Sequence, residues 1–361
     1  MENNLLENYF QSNPFDWNQA KKEGILFKDL LELTEHHKHN CLEYDKILNA
    51  IGYQKNISKN IVDIPMLPVR LFKHYGLKSI LEKDVIKTLT SSGTTSQIVS
   101  KIFLDKETAK LQTKALVNIM SSFIGKKRLP MLIIDTKDIL KNRKSFSARG
   151  AGIMGMMNFG RDHTYLLDEK MDIDFKVVDE FLKKYEGEKI LMFGFTFMVW
   201  EYLFEKMKNE KKSYDFSNAI LIHSGGWKKL IDKAVDNDTF KSSINNLCGI
   251  NKIHNFYGMV EQVGSIYVEC EKGVLHSPSY ADIILRNPKT WKAINKFEKK
   301  GVIETVSVLP RSYPGHAILT EDEGEILGID DCSCGRKGKY FKIIGRLPKA
   351  EVRGCSDTHE E

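Results

Sequence analysis

The stretch KILMFGFTFMVWEYLFEKMKNEKKSYDFSNAILIHSGGWKK, residues 189–229, holds the reading that decides the fold. An apolar run, KILMFGF, is followed by TFMVWEYLFEKMKNEKK, whose composition and length suit a helix, and then by a second apolar run, NAILIHS. Short apolar runs without polar alternation suit strands buried on both faces. A helix between two of them is the crossover that parallel strands need. The same alternation extends outward, from about residue 80 to 330. MLIID and GVIETVSVL read as further strands, and KETAKLQTKALVNIMSSF and FKVVDEFLKKYEG as further helices. The expected fold class is therefore α/β, layered sheets flanked by helices.

Residues 1–60 read as a helical region packed on the core. Within it FKDLLELTEHHKHNCLEYDKILNAIG carries apolar residues at three- and four-residue spacing and stops at Gly52. DIPMLPVRLF, with two closely spaced prolines, marks an irregular entry into an α/β core over 61–310. From about 311 the texture changes to short strands, turns and paired cysteines, so 311–361 is expected to form a small β-rich part with a tail.

The 361 residues are 42% hydrophobic and 28% charged, within the globular range. No apolar run approaches the length of a membrane-spanning helix. The start shows neither a basic segment nor an apolar one of the kind a signal peptide carries, so a cytoplasmic location is expected. The net charge is +6, from 54 basic and 48 acidic residues mixed along the chain. Basic clusters such as GKKRLP and KFEKKG are short and lack interleaved aromatic residues, which argues against nucleic-acid binding and for a lysine-rich surface.

Three glycine-centred segments carry chemistry. In IKTLTSSGTTSQIVSK, residues 86–101, hydroxyls crowd one glycine between two β-branched runs. Ser91, Ser92, Gly93, Thr94, Thr95 and Ser96 can present hydroxyl and backbone N–H donors to phosphate oxygens, or form an ordinary polar hairpin. The sequence lacks the G-x-x-x-x-G-K-[ST] pattern, so a P-loop is excluded. In AILIHSGGWKK a strand ends in Ser224-Gly225-Gly226, which lets backbone approach a flat ligand at a carboxyl end. In HNFYGMVEQ, Tyr257 and Gly258 suit stacking on a base, and Glu261 suits magnesium coordination through oxygen.

In this order the segments resemble the adenylate-forming superfamily of acyl- and aryl-CoA ligases. The resemblance makes Ser91–Ser96 the phosphate loop, Ser224, Gly225, Gly226, Tyr257 and Gly258 the adenine-holding residues, and Glu261 the magnesium ligand. It also makes Asp322, in ILTEDEGE, the ribose ligand and Arg346, in IIGRLPK, the hinge arginine. Three positions depart from the pattern: Val260 replaces a Thr or Ser, Ser96 replaces a second glycine, and Lys101, the loop's catalytic lysine, sits later than in most members.

LTEHHKHNCLEY, LPVRLFK, FSARGAGIMG, YGMVEQVGSI, SYPGHAILTEDEG and GRLPKAEVRGCSDTHE resemble, more closely, the acyl-protein synthetases of the bacterial bioluminescence fatty-acid reductase complex, across nearly the whole chain. That resemblance implies ATP- and Mg²⁺-dependent activation of a long-chain fatty acid to an acyl adenylate. It implies transfer to a cysteine, matched here by Cys355, and onward to an acyl reductase subunit. It leaves room for an acyltransferase subunit as a further partner. The chain has no room for the mobile domain of about 100 residues found in larger relatives. Lys349 is a candidate for the lysine that such a domain supplies.

Six cysteines in a chain without a secretory signal point to metal or thiol chemistry rather than disulfides. Cys270 and His276 in VECEKGVLHS, on an expected β-hairpin, and the pair Cys332-x-Cys334 would together complete a closed tetrahedral zinc site. A redox dithiol or unligated thiols are the alternatives, and a comparable arrangement in phenylacetate-type CoA ligases favours zinc. Cys41 and Cys248 read as packing residues. Two other functions fit parts of the sequence: a stand-alone acyl- or aryl-CoA ligase, and a nucleotide- or acyl-binding subunit without activity.

Overall fold

The computed structural model describes residues 6–91, 98–140, 148–227 and 232–347. Ser92 to Ser96, Lys349 and Cys355 lie outside the described residues. The strands, in chain order, are β1 Leu67–Pro68, β2 Lys87–Thr90, β3 Lys101–Leu104, β4 Leu129–Thr136, β5 Gly160–Leu167, β6 Ile190–Phe195 and β7 Ala219–Ser224. They continue with β8 Lys252–Tyr257, β9 Tyr267–Glu269, β10 Leu275–His276, β11 Ala281–Arg286, β12 Lys300–Ser307, β13 Ala317–Ile329 and β14 Lys339–Arg346.

Twelve of these form one sheet, ordered β11-β12-β13-β14-β10-β9-β8-β7-β6-β4-β5, with β1 paired to β13. From β5 through β8 the pairing is parallel. Every residue of β6 is buried, as are all but the first of β4 and all but the last of β7. That is the signature of strands covered on both faces, and it explains why their sequences are continuous apolar runs. Beyond β8 the pairing turns antiparallel through β9, β10, β14, β13, β12 and β11. β2 and β3 make a separate hairpin whose Thr90↔Lys101 pair stands at the base of the hydroxyl–glycine segment.

The helices Lys106–Ile124, Phe175–Lys184 and Asn237–Cys248 appear where expected, each N-capped by an aspartate: Asp105, Asp174 and Asp236. Three elements differ from the sequence expectation. The N-terminal helical pattern is two helices, Gln19–Asn40 and Leu42–Ala50. The break falls where Asn40 Nδ2 turns back to donate to His36 O at 2.8 Å and Cys41 adopts extended angles. The stretch after β6 is helical, but Val199–Glu205 within it is a π-helix, and Trp200 inside it stacks on Phe240. β13 is a long strand of 13 residues, because β12, β14 and β1 all pair with it.

A buried ionic network fastens the first long helix to the antiparallel half of the sheet. Asp282, in β11, accepts from Lys22 Nζ at 3.1 Å, Lys339 Nζ at 2.9 Å and Gln19 Nε2 at 2.6 Å. Burial pushes the Asp282 carboxyl up, but Lys22 and Lys339 outweigh it and hold the pKa at about 2.

Candidate active site

The parallel strands β6, β7 and β8 end side by side at Phe195, Ser224 and Tyr257. Ligands in open α/β sheets gather beyond such carboxyl ends. A cleft of about 410 Å³ opens there, with Thr196, His223, Gly225, Asn255, Phe341 and Ile343 in its walls. Gly225 turns with φ +84°, and a Cβ on it would come within 3.2 Å of the Phe195 ring, so glycine answers both the turn and the close packing. Ser224 Oγ donates to Phe256 O at 3.0 Å, tying the turn to β8.

His223 and Asn255 are register partners on β7 and β8 and present their side chains to the same face. Asn255 Oδ1 is buried without a hydrogen-bond partner among the described residues, while its backbone N–H donates to Glu269 Oε2 at 3.1 Å. His223 Nδ1 lies 3.0 Å from Thr196 Oγ1 and its Nε2 has no such partner. Burial, aided by Lys241, drops the His223 pKa to about 3, so the ring is neutral. An unmet acceptor beside a glycine turn and the apolar side chains of Ile343 and Phe341 suits a flat heteroaromatic base bearing an amine. The sequence reading missed Asn255; its one signal was its place two residues before Tyr257.

Tyr257 donates its hydroxyl hydrogen to Asp322 Oδ2 at 2.7 Å. Asp322 and Arg346 are register partners on β13 and β14, and Arg346 Nε donates to Asp322 Oδ1 at 3.2 Å. Arg346 also reaches Glu321 Oε2 at 3.1 Å, and Arg70 engages the other oxygen of Glu321. Residues separated by 65 positions in sequence thus share one polar chain.

Glu261 sits in the short 3-10 turn Val260–Gln262 and is 1% exposed. Ser100 Oγ donates to its Oε1 at 2.6 Å. Gly258 packs so closely that a Cβ would come within 2.9 Å of Ile266 Cγ2. Lys101 is exposed at the start of β3, and Gly226 is open to space.

Cys270, His276, Cys332 and Cys334 place their ligating atoms within 4.8 Å of one another. Cys270 Sγ lies 4.0 Å from Cys332 Sγ, and Cys334 Sγ lies 3.4 Å from His276 Nε2. Tetrahedral zinc at ordinary bond lengths needs S···S of about 3.8 Å and S···N of about 3.6 Å. The donor set and its spacing therefore fit a metal ion. Cys270 follows β9, His276 ends β10, and the Cys332–Cys334 turn precedes β14, so the four residues clip three strand ends together.

The family model described as "Acyl-protein synthetase, LuxE" matches residues 2–361. The chain belongs to this family. Two relatives are named long-chain-fatty-acid–luciferin-component ligase. The Aliivibrio fischeri protein is 23% identical over 355 residues, covering 96% of this chain and 91% of the relative. The Vibrio harveyi protein is 20% identical over 356 residues, covering 96% and 90%. The chain is an AMP-forming ligase of the acyl-protein synthetase family.

Solved structures of 2-hydroxyisobutyryl-CoA ligase share the fold. The postadenylation state in complex with 2-HIB-AMP superposes with a TM-score of 0.70 at 13% identity, covering 91% of this chain and 68% of that one. An open conformation in complex with 2-HIB-AMP and CoA gives a TM-score of 0.66 at 13% identity, covering 94% and 81%. The expected adenylate-forming α/β architecture is thus the observed one. Among the described residues no helix is long and apolar enough to cross a membrane.

Proposed function

We propose that this acyl-protein synthetase uses ATP and Mg²⁺ to convert a long-chain fatty acid to its acyl adenylate, and then carries the acyl group on Cys355 to a reductase subunit. The observation that carries the proposal is the cleft at the carboxyl ends of β7 and β8, whose walls include both Gly225 and Asn255, with its unmet acceptor. In it Asn255, Gly225 and Ile343 would hold the adenine, and the Tyr257–Asp322–Arg346 chain would present a fixed carboxylate to the ribose. Glu261 would hold the metal that shields phosphate charge. The fatty carboxylate attacks the α-phosphorus and pyrophosphate leaves. A thiolate at Cys355 then attacks the acyl carbonyl, releasing AMP and leaving a thioester. Zinc in the Cys270–His276–Cys332–Cys334 cluster, with all four positions filled by protein, would stabilise the fold rather than enter the reaction.

Incubation with ATP, Mg²⁺ and labelled tetradecanoate, followed by gel separation, tests the proposal. Hydroxylamine-sensitive label on the protein, lost in Cys355→Ala, is expected. Unlabelled protein with soluble acyl-CoA formed on addition of CoA would identify a stand-alone CoA ligase instead. Absence of carboxylate-dependent ATP–pyrophosphate exchange would identify a binding subunit.

A further inference from the structure

The hydroxyl–glycine segment and Glu261 are far apart in sequence, yet one fully buried hydroxyl joins them. Ser91 N–H donates to Ser100 O at 3.1 Å, and Ser100 N–H donates to Ser91 Oγ at 2.9 Å, closing the neck of the segment. From that neck Ser100, 0% exposed, turns its hydroxyl across 161 residues of sequence to Glu261 Oε1 at 2.6 Å. A hydrogen bond this short to a carboxylate is charge-assisted and directional, and it selects one rotamer of the glutamate.

The backbone of Glu261 is held independently. Its neighbour Gln262 donates from Nε2 to Thr305 O at 3.3 Å and to Gly315 O at 3.0 Å. A Cβ on Gly315 would come within 2.7 Å of the Glu261 carbonyl, so the main chain is pinned from that side too. With the main chain fixed by Gln262 and Gly315, the Ser100 hydroxyl adds a direct constraint on the direction of the carboxylate.

We infer that Ser100 is a positioning residue: its hydroxyl aims the Glu261 carboxylate at the metal and locks that aim to the neck of the hydroxyl–glycine segment. This rests on the reading of Glu261 as the metal-holding residue. Ser100 would act through the Glu261 carboxylate rather than on the metal or nucleotide itself. It lowers the reorganisation that Glu261 would otherwise undergo when the ion arrives. Magnesium affinity and the geometry of the segment's neck are thereby coupled through the Ser100 side chain.

The test is a Mg²⁺ titration read in two ways, by the thermal shift that ATP produces and by pyrophosphate exchange. Ser100→Ala is expected to raise the Mg²⁺ half-saturation about tenfold in both readings. Ser100→Thr, which keeps the hydroxyl, is expected to restore it. If Ser100→Ala lowers the melting temperature of the ligand-free protein while the Mg²⁺ dependence stays that of wild type, Ser100 is structural only and the inference is overturned. Should the alanine variant fail to fold, Ser100→Cys, nearly isosteric but a weak donor, is read the same way. Glu261→Gln separates the two layers. A wild-type Mg²⁺ response in that variant sinks the metal-ligand reading itself. A shifted response there, with an unshifted one in Ser100→Ala, sinks only the role of Ser100.

Discussion

Tyr257 and Asp322 are joined by a 2.7 Å hydrogen bond between the end of β8, the last parallel strand, and β13, deep in the antiparallel half of the sheet. The bond fixes one carboxylate oxygen while Arg346 fixes the other, so the Asp322 carboxylate is oriented from both sides. Removing the phenol hydroxyl in Tyr257→Phe releases Oδ2 while Arg346 still holds Oδ1, so the carboxylate is less firmly oriented. The expected result is an ATP KM raised roughly tenfold with a smaller effect on kcat, measured by pyrophosphate exchange. Burial, reinforced by Asp322, pushes the Tyr257 pKa well above its ordinary value, so the bond persists at alkaline pH. No loss of ATP affinity from ionisation of this residue is expected there.

Asn255 offers the cleft an acceptor that nothing in the described protein satisfies. In wild type, ATP is expected to bind more tightly than the purine triphosphate lacking the 6-amino group. In Asn255→Ala that preference is expected to shrink by about 3- to 10-fold, as calorimetric titration of both nucleotides would reveal. An unchanged preference would remove the adenine from this cleft.

The Cys/His cluster lies directly against the cleft. Glu269 precedes Cys270, Leu275 precedes His276, and both line the cleft, as do Phe341, the partner of Leu275, and Ile343. Metal analysis is expected to find one zinc per chain. Its removal by a chelator is expected to lower Tm by at least about 5 °C and to weaken nucleotide binding in the same sample. Retention of both properties in metal-free protein would leave the cluster without a structural role.

His37, on the buried face of the helix Gln19–Asn40, stacks on His316 with centroids 5.0 Å apart, and both are fully buried. Burial drops the His316 pKa to about 3, as it does that of His223, and drops that of His37 well below its ordinary value. Between pH 6.5 and about 3 the unfolded chain binds protons at His316 and His223 and the folded chain does not, so stability falls as pH falls. Each site contributes a slope of about 1.4 kcal/mol per pH unit in that window. Urea titrations from pH 6 to pH 5 should show His316→Asn with a slope shallower by that amount, even where its stability at neutral pH is lower.

The central parallel strands were legible because burial on both faces writes itself as uninterrupted apolar runs such as ILMFGF and AILIHS. The Cys270, His276, Cys332 and Cys334 set was legible because ligand chemistry restricts residue type and local spacing. The break at Cys41 was not, since it turns on Asn40 folding back to His36 rather than on any loss of apolar periodicity. The π-helix over Val199–Glu205 was equally hidden, because one extra residue per turn leaves the composition unchanged. Nor does the acidic run of β13 announce a long strand: pairing with three neighbours decides that. Ser100 and Asn255 matter through partners or vacancies in space, and neither stands in a pattern of its own.

The clasp of Gln19, Lys22, Asp282 and Lys339 has a consequence for how the chain matures. Gln19 Oε1 accepts from the backbone of Lys339, 320 residues later, and Lys22 is buried against Asp282, 260 residues later. At ordinary elongation rates the helix bearing Lys22 waits about 13–52 s for its counter-ion, 260 residues on. During that interval an unpaired lysine faces what will become the interior, which opposes premature docking of the helix. The emergence of β11, which carries Asp282, is then the event that permits the helix to seat, making synthesis of that strand a checkpoint on the first helix.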